Sequence, residues 1–345
     1  MKKLYKILPL ICLLPLFAGC GEKENTENRL GVTFAPVDTP KSYMHLNYNC
    51  WSPNNEAQLN INGTPRTLNI NNNADEMVWV DLNGITGTGN RNRNYRCFYP
   101  GNAYQDYEST ANGIKFNVEK DLIYSTETVN EKTVQSIFPP MLGTTTITSG
   151  QTGYIALRHL GGLLEFRIKA ADTYSGSLNS INLNSNIKIS GEAVASVDAG
   201  AYTLNEDNSY NNINMTIGKA FNATDVAKAG DYMQVYIPFR EFVDANLSSY
   251  AQWYNNLSGF WRWLIGLFGG APNVDALNTR NITISIDATI NGTQHTYTKT
   301  VGGSGTSVTR PSIEVNQLVQ MSKIQLTPTQ VLDENGNVMS GWTVQ

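Results

Sequence analysis

The sequence predicts an all-β protein made of two β-sandwiches in tandem, with one short apolar helix inserted in the second. Three observations carry that prediction. Apolar residues recur at a period of two in short runs, turn formers separate those runs, and 345 residues with 41% hydrophobic content suffice for two cores of ordinary size. Charge narrows the function classes. With Lys+Arg 25 against Asp+Glu 29 and no dense basic cluster, the chain lacks the phosphate-neutralising surface that nucleic-acid binding needs, so no nucleic-acid partner is expected.

In chain order, Lys2, Lys3 and Lys6 precede an apolar stretch from Ile7 to Phe17, shorter than the ~20 residues of a membrane span. Residues 1–19 therefore read as a signal peptide. Leu16-Phe17-Ala18-Gly19-Cys20 resembles a bacterial lipobox, in which small residues let a peptidase cut before a lipid-bearing Cys. That makes Cys20 the lipidated first residue of the mature chain, in preference to an ordinary secretory signal with an incidental Cys. Residues 20–29 form the polar linker behind the lipid, residues 30–172 the first sandwich and residues 173–345 the second.

Cys12 leaves with the signal peptide, so Cys50 and Cys97 remain in a chain that crosses an oxidising compartment. They form either one disulfide or two buried thiols, and one pair at this separation does not choose between them. His45, His159 and His295 stand far apart with no metal-ligand spacing, so no metal and no cofactor is expected.

Leu30, Val32 and Phe34 alternate with Gly31, Thr33 and Ala35 as a half-buried first strand, stopped by Pro36 and Pro40. Leu59–Ile61 and Leu68–Ile70 flank Asn62-Gly63, a hairpin signal because Asn-Gly accepts the positive φ of a tight turn. Further strands are expected at 78–80, 95–99, 113–118, 153–157 and 163–168. After the polar stretch from Ala170 to Ser177 they continue at 180–183, 187–189, 213–217, 232–237, 282–290, 296–301 and 324–327. Asn291-Gly292 and Asn335-Gly336 supply turns in that half.

One segment departs from period two. Leu257, Phe260, Trp261, Leu264, Ile265 and Phe268 recur at helical spacing before Gly269-Gly270-Ala271-Pro272. Trp263 and Leu267 make the other face apolar too. Such a helix either caps the second sandwich, which its apolar character favours, or presents Phe260, Trp261, Trp263 and Leu267 to a partner or a membrane interface.

Chemistry is sparse. Gly302-Gly303-Ser304-Gly305 lacks nucleophile-elbow spacing, and Asp333-Glu334-Asn335-Gly336-Asn337 has its Gly too early for a calcium loop and reads better as a turn. His159 reads as a structural histidine at a strand end. Trp51, Trp79 and Tyr99 belong more naturally to a core than to a glycan platform. An enzymatic role is not expected.

Tyr95-Arg96-Cys97-Phe98-Tyr99-Pro100, then Phe138-Pro139-Pro140-Met141-Leu142-Gly143, then Leu157-Arg158-His159-Leu160-Gly161-Gly162-Leu163-Leu164-Glu165-Phe166-Arg167-Ile168, then Ile181 through Gly191, stand in one order along the chain. In that order, behind the lipobox, they resemble the landmarks of the fimbrillin-like lipoproteins of Bacteroides-type bacteria. The resemblance covers most of the mature chain, and the helix near 257–268 is a departure from it. It implies two transthyretin-like β-sandwiches and a surface-exposed outer-membrane lipoprotein, with Gly21 to Arg29 similar to an outer-leaflet export signal. The function it implies is a structural or adhesive pilus subunit, or its anchor. Partners would be other fimbrillin-like subunits, the outer membrane through the lipid, and a host or bacterial surface receptor or glycan. A surface glycan-binding lipoprotein serving polysaccharide uptake is the alternative.

The resemblance further implies polymerisation by strand exchange: a protease removes the first strand, and a neighbour's strand fills the groove. Leu30, Val32 and Phe34 are the candidate removable strand. Lys41 is the nearest basic cleavage site beyond it, whereas Arg29 precedes it and would only sever the lipid tether. Val338, Ser340, Trp342 and Val344, expected on one face at period two, are the candidate donor. The plainer alternative is that residues 338–345 complete their own sheet.

Overall fold

The computed structural model of the chain describes residues 29–34, 56–62, 64–69, 78–82, 93–99, 107–110, 113–129, 131–137, 139–148, 152–195, 202–240, 281–302 and 318–345. Among these residues all regular structure is β, with no helix. The expected helix with Phe260, Trp261, Trp263 and Leu267 lies outside the described residues, as do Cys20, Lys41 and Cys50.

The alternation in the sequence is what the strands bury. In β12 (Gly153–His159), Gly153, Ile155, Leu157 and His159 are buried while Tyr154, Ala156 and Arg158 are exposed. β20 (Asn281–Ile290) buries Ile282, Ile284, Ile286, Ala288 and Ile290 in the same way. Its hairpin to β21 (Thr293–Gly302) turns on Asn291 and Gly292, with φ of 48° and 83°, the conformation that Asn-Gly supplies at least cost.

A seven-stranded sheet runs in the order β3 (Thr64–Asn69), β2 (Glu56–Ile61), β5 (Arg93–Tyr99), β11 (Met141–Ile147), β12, β1 (Arg29–Phe34), β4 (Val78–Asp81). A four-stranded sheet joins β16 (Tyr202–Tyr210), β15 (Ser190–Ala195), β7 (Gly113–Val118) and β6 (Glu108–Thr110). One six-stranded sheet holds β18 (Lys228–Ala229), β19 (Tyr232–Phe239), β13 (Gly162–Ala170), β23 (Ile324–Leu326) and β24 (Val331–Leu332), with β22 (Leu318–Gln320) also on β13. The other runs β25 (Thr343–Val344), β21, β20, β14 (Gly176–Ser185), β17 (Asn212–Ala220), β8 (Asp121–Ile123). β9 (Thr126–Val129) and β10 (Lys132–Gln135) form a separate pair.

Among the described residues, three clusters of buried side chains fill the interior. The largest joins the two six-stranded sheets: Phe166 and Ile168 of β13 and Val235 and Ile237 of β19 share it with Ile181 of β14, Ile286 of β20 and Tyr297 of β21. A second lies on one face of the seven-stranded sheet and includes Leu30, Val32, Cys97, Met141, Ile155 and Leu157. The third sets Phe98 and Leu142 of that sheet against Phe116, Ala193 and Tyr202 of the four-stranded one.

The division expected after residue 172 is crossed by pairing in three sheets. β7 pairs with β15, β8 with β17, and β13 with β19, β22 and β23. At the β12–β13 turn, a Cβ on Gly161 would lie 2.2 Å from the Phe239 carbonyl oxygen, so the chain there approaches the end of β19 as closely as only glycine allows.

Candidate functional site

β1 is the first described strand of the chain, yet it lies inside its sheet with a neighbour on each edge. It lies parallel to β12, from Leu30 opposite Gly153 to Phe34 opposite Leu157. On its other edge it runs antiparallel to β4, from Arg29 opposite Asp81 to Val32 opposite Val78. β4 ends the sheet and has no other strand neighbour among the described residues, so β1 alone ties it to the rest. Leu30 and Val32 are fully buried and belong to the same cluster as Ile155 and Leu157. Arg29 is the first residue of β1 rather than a residue before it, because its backbone already pairs opposite Asp81.

Withdrawing β1 would leave unpaired backbone on β12 and β4 and an apolar floor between them. Burying a Leu or Val side chain contributes ~1.5–3 kcal/mol, so Leu30 and Val32 together account for roughly 3–6 kcal/mol of what holds β1 in place. Unpaired buried backbone adds to the cost of an empty groove.

The C-terminal segment is held much more lightly. β25 pairs only Thr343 and Val344 with β21, opposite Thr298 and Tyr297, at the edge of its sheet. Gln345 and Thr296 exchange two backbone hydrogen bonds of 3.0 Å just beyond it. The four candidate donor residues do not share one face. A turn at Ser340 and Gly341, with φ of 81° at Gly341, breaks the period-two run. Trp342 and Val344 pack against the large core, Val338 is 63% exposed, Ser340 is exposed, and Met339 takes the inward place beside Trp342. In this docked state the segment completes its own sheet. Asn335-Gly336 forms the expected turn, in which Asp333 Oδ1 accepts hydrogen bonds from the Asn335 and Asn337 amides at 2.8 and 2.9 Å. Those bonds hold the Asp333 carboxyl below its ordinary range.

Cys97 is a free, fully buried thiol whose pKa burial pushes up; Cys50 lies outside the described residues. Tyr99 is buried in the core, and Trp79 contributes its backbone to β4. Sequence reasoning expected strands at 78–80 and 153–157 but not that they flank β1, because nothing local in 78–81 or 153–159 announces which strand each will accept.

His159 ends β12 and is 3% exposed, and burial lowers its pKa from the ordinary 6.5 to about 4. Between these values the unfolded chain takes up a proton that the folded chain refuses, so stability falls as pH falls through that window. The component lost by pH 4 is about 3 kcal/mol. We expect His159→Gln to flatten the decline of the urea midpoint between pH 6.5 and 4 relative to the unsubstituted chain; equal slopes would rule out this source of acid sensitivity.

No family model matches the chain, and no curated protein matches it in sequence. Among solved structures it is similar to a candidate cell adhesion protein from Bacteroides ovatus, at 12% identity and a TM-score of 0.44, covering 92% of this chain and 95% of that one. A candidate cell adhesion protein from Bacteroides uniformis gives 12% identity and 0.44 over 93% and 99%. A candidate polysaccharide binding protein from Bacteroides thetaiotaomicron gives 12% identity and 0.28 over 61% and 76%.

Proposed function

We propose that the chain is a non-enzymatic subunit or anchor of a cell-surface pilus, exported as a lipoprotein through Cys20 and assembled with other subunits by strand exchange. The observation that carries this reading is the place of β1: near the expected mature start, wedged between two strands, and alone among the described strands in holding β4. A strand so placed, when cut from the chain beyond it at Lys41, frees a groove with two bonding edges and an apolar floor, which is what β-augmentation by a neighbour requires. The lightly held segment from Val338 to Gln345 is the donor. Its docked place is then a resting one, and on transfer the turn at Ser340 and Gly341 opens so that Val338, Ser340, Trp342 and Val344 fall at period two.

Electron microscopy of surface filaments with antibody against this chain tests the reading. Label on filaments is expected, along them for a stalk subunit or at one end for a tip or anchor. Label confined to the membrane of cells that do carry filaments would contradict it, and would favour a surface glycan-binding lipoprotein.

A further inference from the structure

Between the two six-stranded sheets, under the C-terminal segment, lies a cavity of about 260 Å³. Phe166, Ile284, Val301, Ile324, Met339 and Trp342 give it apolar walls. Arg167 and Lys299 also line it, and among the described residues none that lines it is acidic.

Lys299 is out of keeping with its position. On β21 it shares a face with Tyr297, which is fully buried in the core, and with Val301, which packs against that core; directly opposite on β20 stands Ile284, itself buried. An apolar side chain is the ordinary occupant there; the Lys299 stem is partly buried and carries its ammonium to the exposed rim beside Ser340, where it can meet an anionic head group whose apolar body enters the cavity. No carboxylate pairs with it among the described residues. Its Nζ lies 5.8 Å from the Trp342 ring centroid and 3.4 Å from the Ser340 carbonyl oxygen, a long hydrogen bond. Two further donors beside the cavity are incomplete. Trp342 Nε1 is buried without an acceptor, and Arg167 donates from Nη2 to the Met321 carbonyl at 2.9 Å while its Nε is buried without one.

We infer that this cavity binds a small amphipathic carboxylate, with its acid group at Lys299 and its apolar body between the sheets. The chemistry excludes the simpler occupants. A sugar would set hydroxyls against Phe166 and Ile284, a free phosphate would leave the apolar walls unfilled, and a neutral hydrocarbon would make no use of the ammonium at the rim. The cavity has room for a short acyl chain, which makes a medium-chain fatty acid the fitting probe. This inference goes beyond strand exchange and does not depend on it, since the cavity exists with the C-terminal segment docked and β1 in place.

Calorimetric titration of the purified, uncleaved chain with octanoate, and with 1-octanol as its uncharged counterpart, tests it. Octanoate should bind with one-to-one stoichiometry and raise the melting temperature, and 1-octanol should bind at least about tenfold more weakly, the range of one charge-assisted hydrogen bond. Lys299→Met, which keeps the length of the side chain and removes its charge, should weaken octanoate about tenfold and leave 1-octanol nearly unchanged. Absence of octanoate binding, equal affinity for the two probes, or unaltered octanoate affinity in Lys299→Met would each overturn the inference. The comparison of probes on the unsubstituted chain stands even if the variant folds poorly.

Discussion

Cleavage after Lys41 is expected to turn a stable monomer into a species that polymerises. Leu30 and Val32 are fully buried and β1 is paired along both edges, so the cut itself leaves the fragment seated. Release of that fragment then removes roughly 3–6 kcal/mol of apolar burial, a large part of the ~5–15 kcal/mol that holds an ordinary domain folded. It also strands β4, whose one neighbour among the described residues is β1. A monomer in that condition either finds another strand or loses the second core cluster. The measurement is size-exclusion chromatography with mass detection after limited proteolysis. Ladders of oligomers, with the free N-terminal peptide in the small fraction, are expected. A cleaved chain that stays monomeric after losing the peptide would show that the groove does not need a replacement. Leu30→Ala should favour polymerisation after the cut, because removing a buried Leu side chain costs about 2–5 kcal/mol and loosens the hold on β1.

Deletion of Val338 to Gln345 should abolish incorporation into polymers while leaving a folded, lipidated monomer. The segment's own docking is modest: a two-residue edge strand flanked by the Gln345–Thr296 backbone bonds, a bridge of Val338 to Leu332 with a Met339 amide bond to the Val331 carbonyl, and Met339, Trp342 and Val344 only partly buried against the large core. Its loss should lower the melting temperature by several degrees rather than unfold a domain whose interior includes fully buried Ile286, Tyr297, Val235 and Ile168. Cleaved, truncated chain should still accept full-length chain, since its groove is intact, yet donate to none. Global unfolding on deletion would mean that residues 338–345 are structural and unable to leave. Polymerisation as before would place the donor elsewhere.

How much of this was legible in the sequence varies with the range of the interaction that fixes each feature. Strands with clean alternation were readable: β12 and β20 bury every second residue, and Asn291-Gly292 turns where local chemistry says it should. β16 was not, because it buries Tyr202, Leu204 and Ser209 while Glu206, Asp207 and Asn208 between them are exposed, a run without an apolar period. Pairing partners were illegible altogether. That β1 lies beside residues more than a hundred positions away, and that β7, β8 and β13 join strands beyond residue 172, follows from tertiary packing that no local window contains. The period-two reading of 338–344 does not describe the docked segment, because Gly341 takes a positive φ and turns the chain. Lys299 carried a visible signal, a charge at an alternate position between Tyr297 and Val301, but its place beside a cavity needed both sheets.

Strand replacement is tested most directly by hydrogen–deuterium exchange of the β12 and β4 amides in three states: intact monomer, cleaved chain lacking Val338 to Gln345, and cleaved full-length polymer. Their protection should be high in the first, lost in the second once the N-terminal peptide has left, and restored in the third by a neighbour's C-terminal strand. Protection in β12 and β4 that survives loss of the peptide, or that stays lost in the polymer, would contradict exchange at this groove.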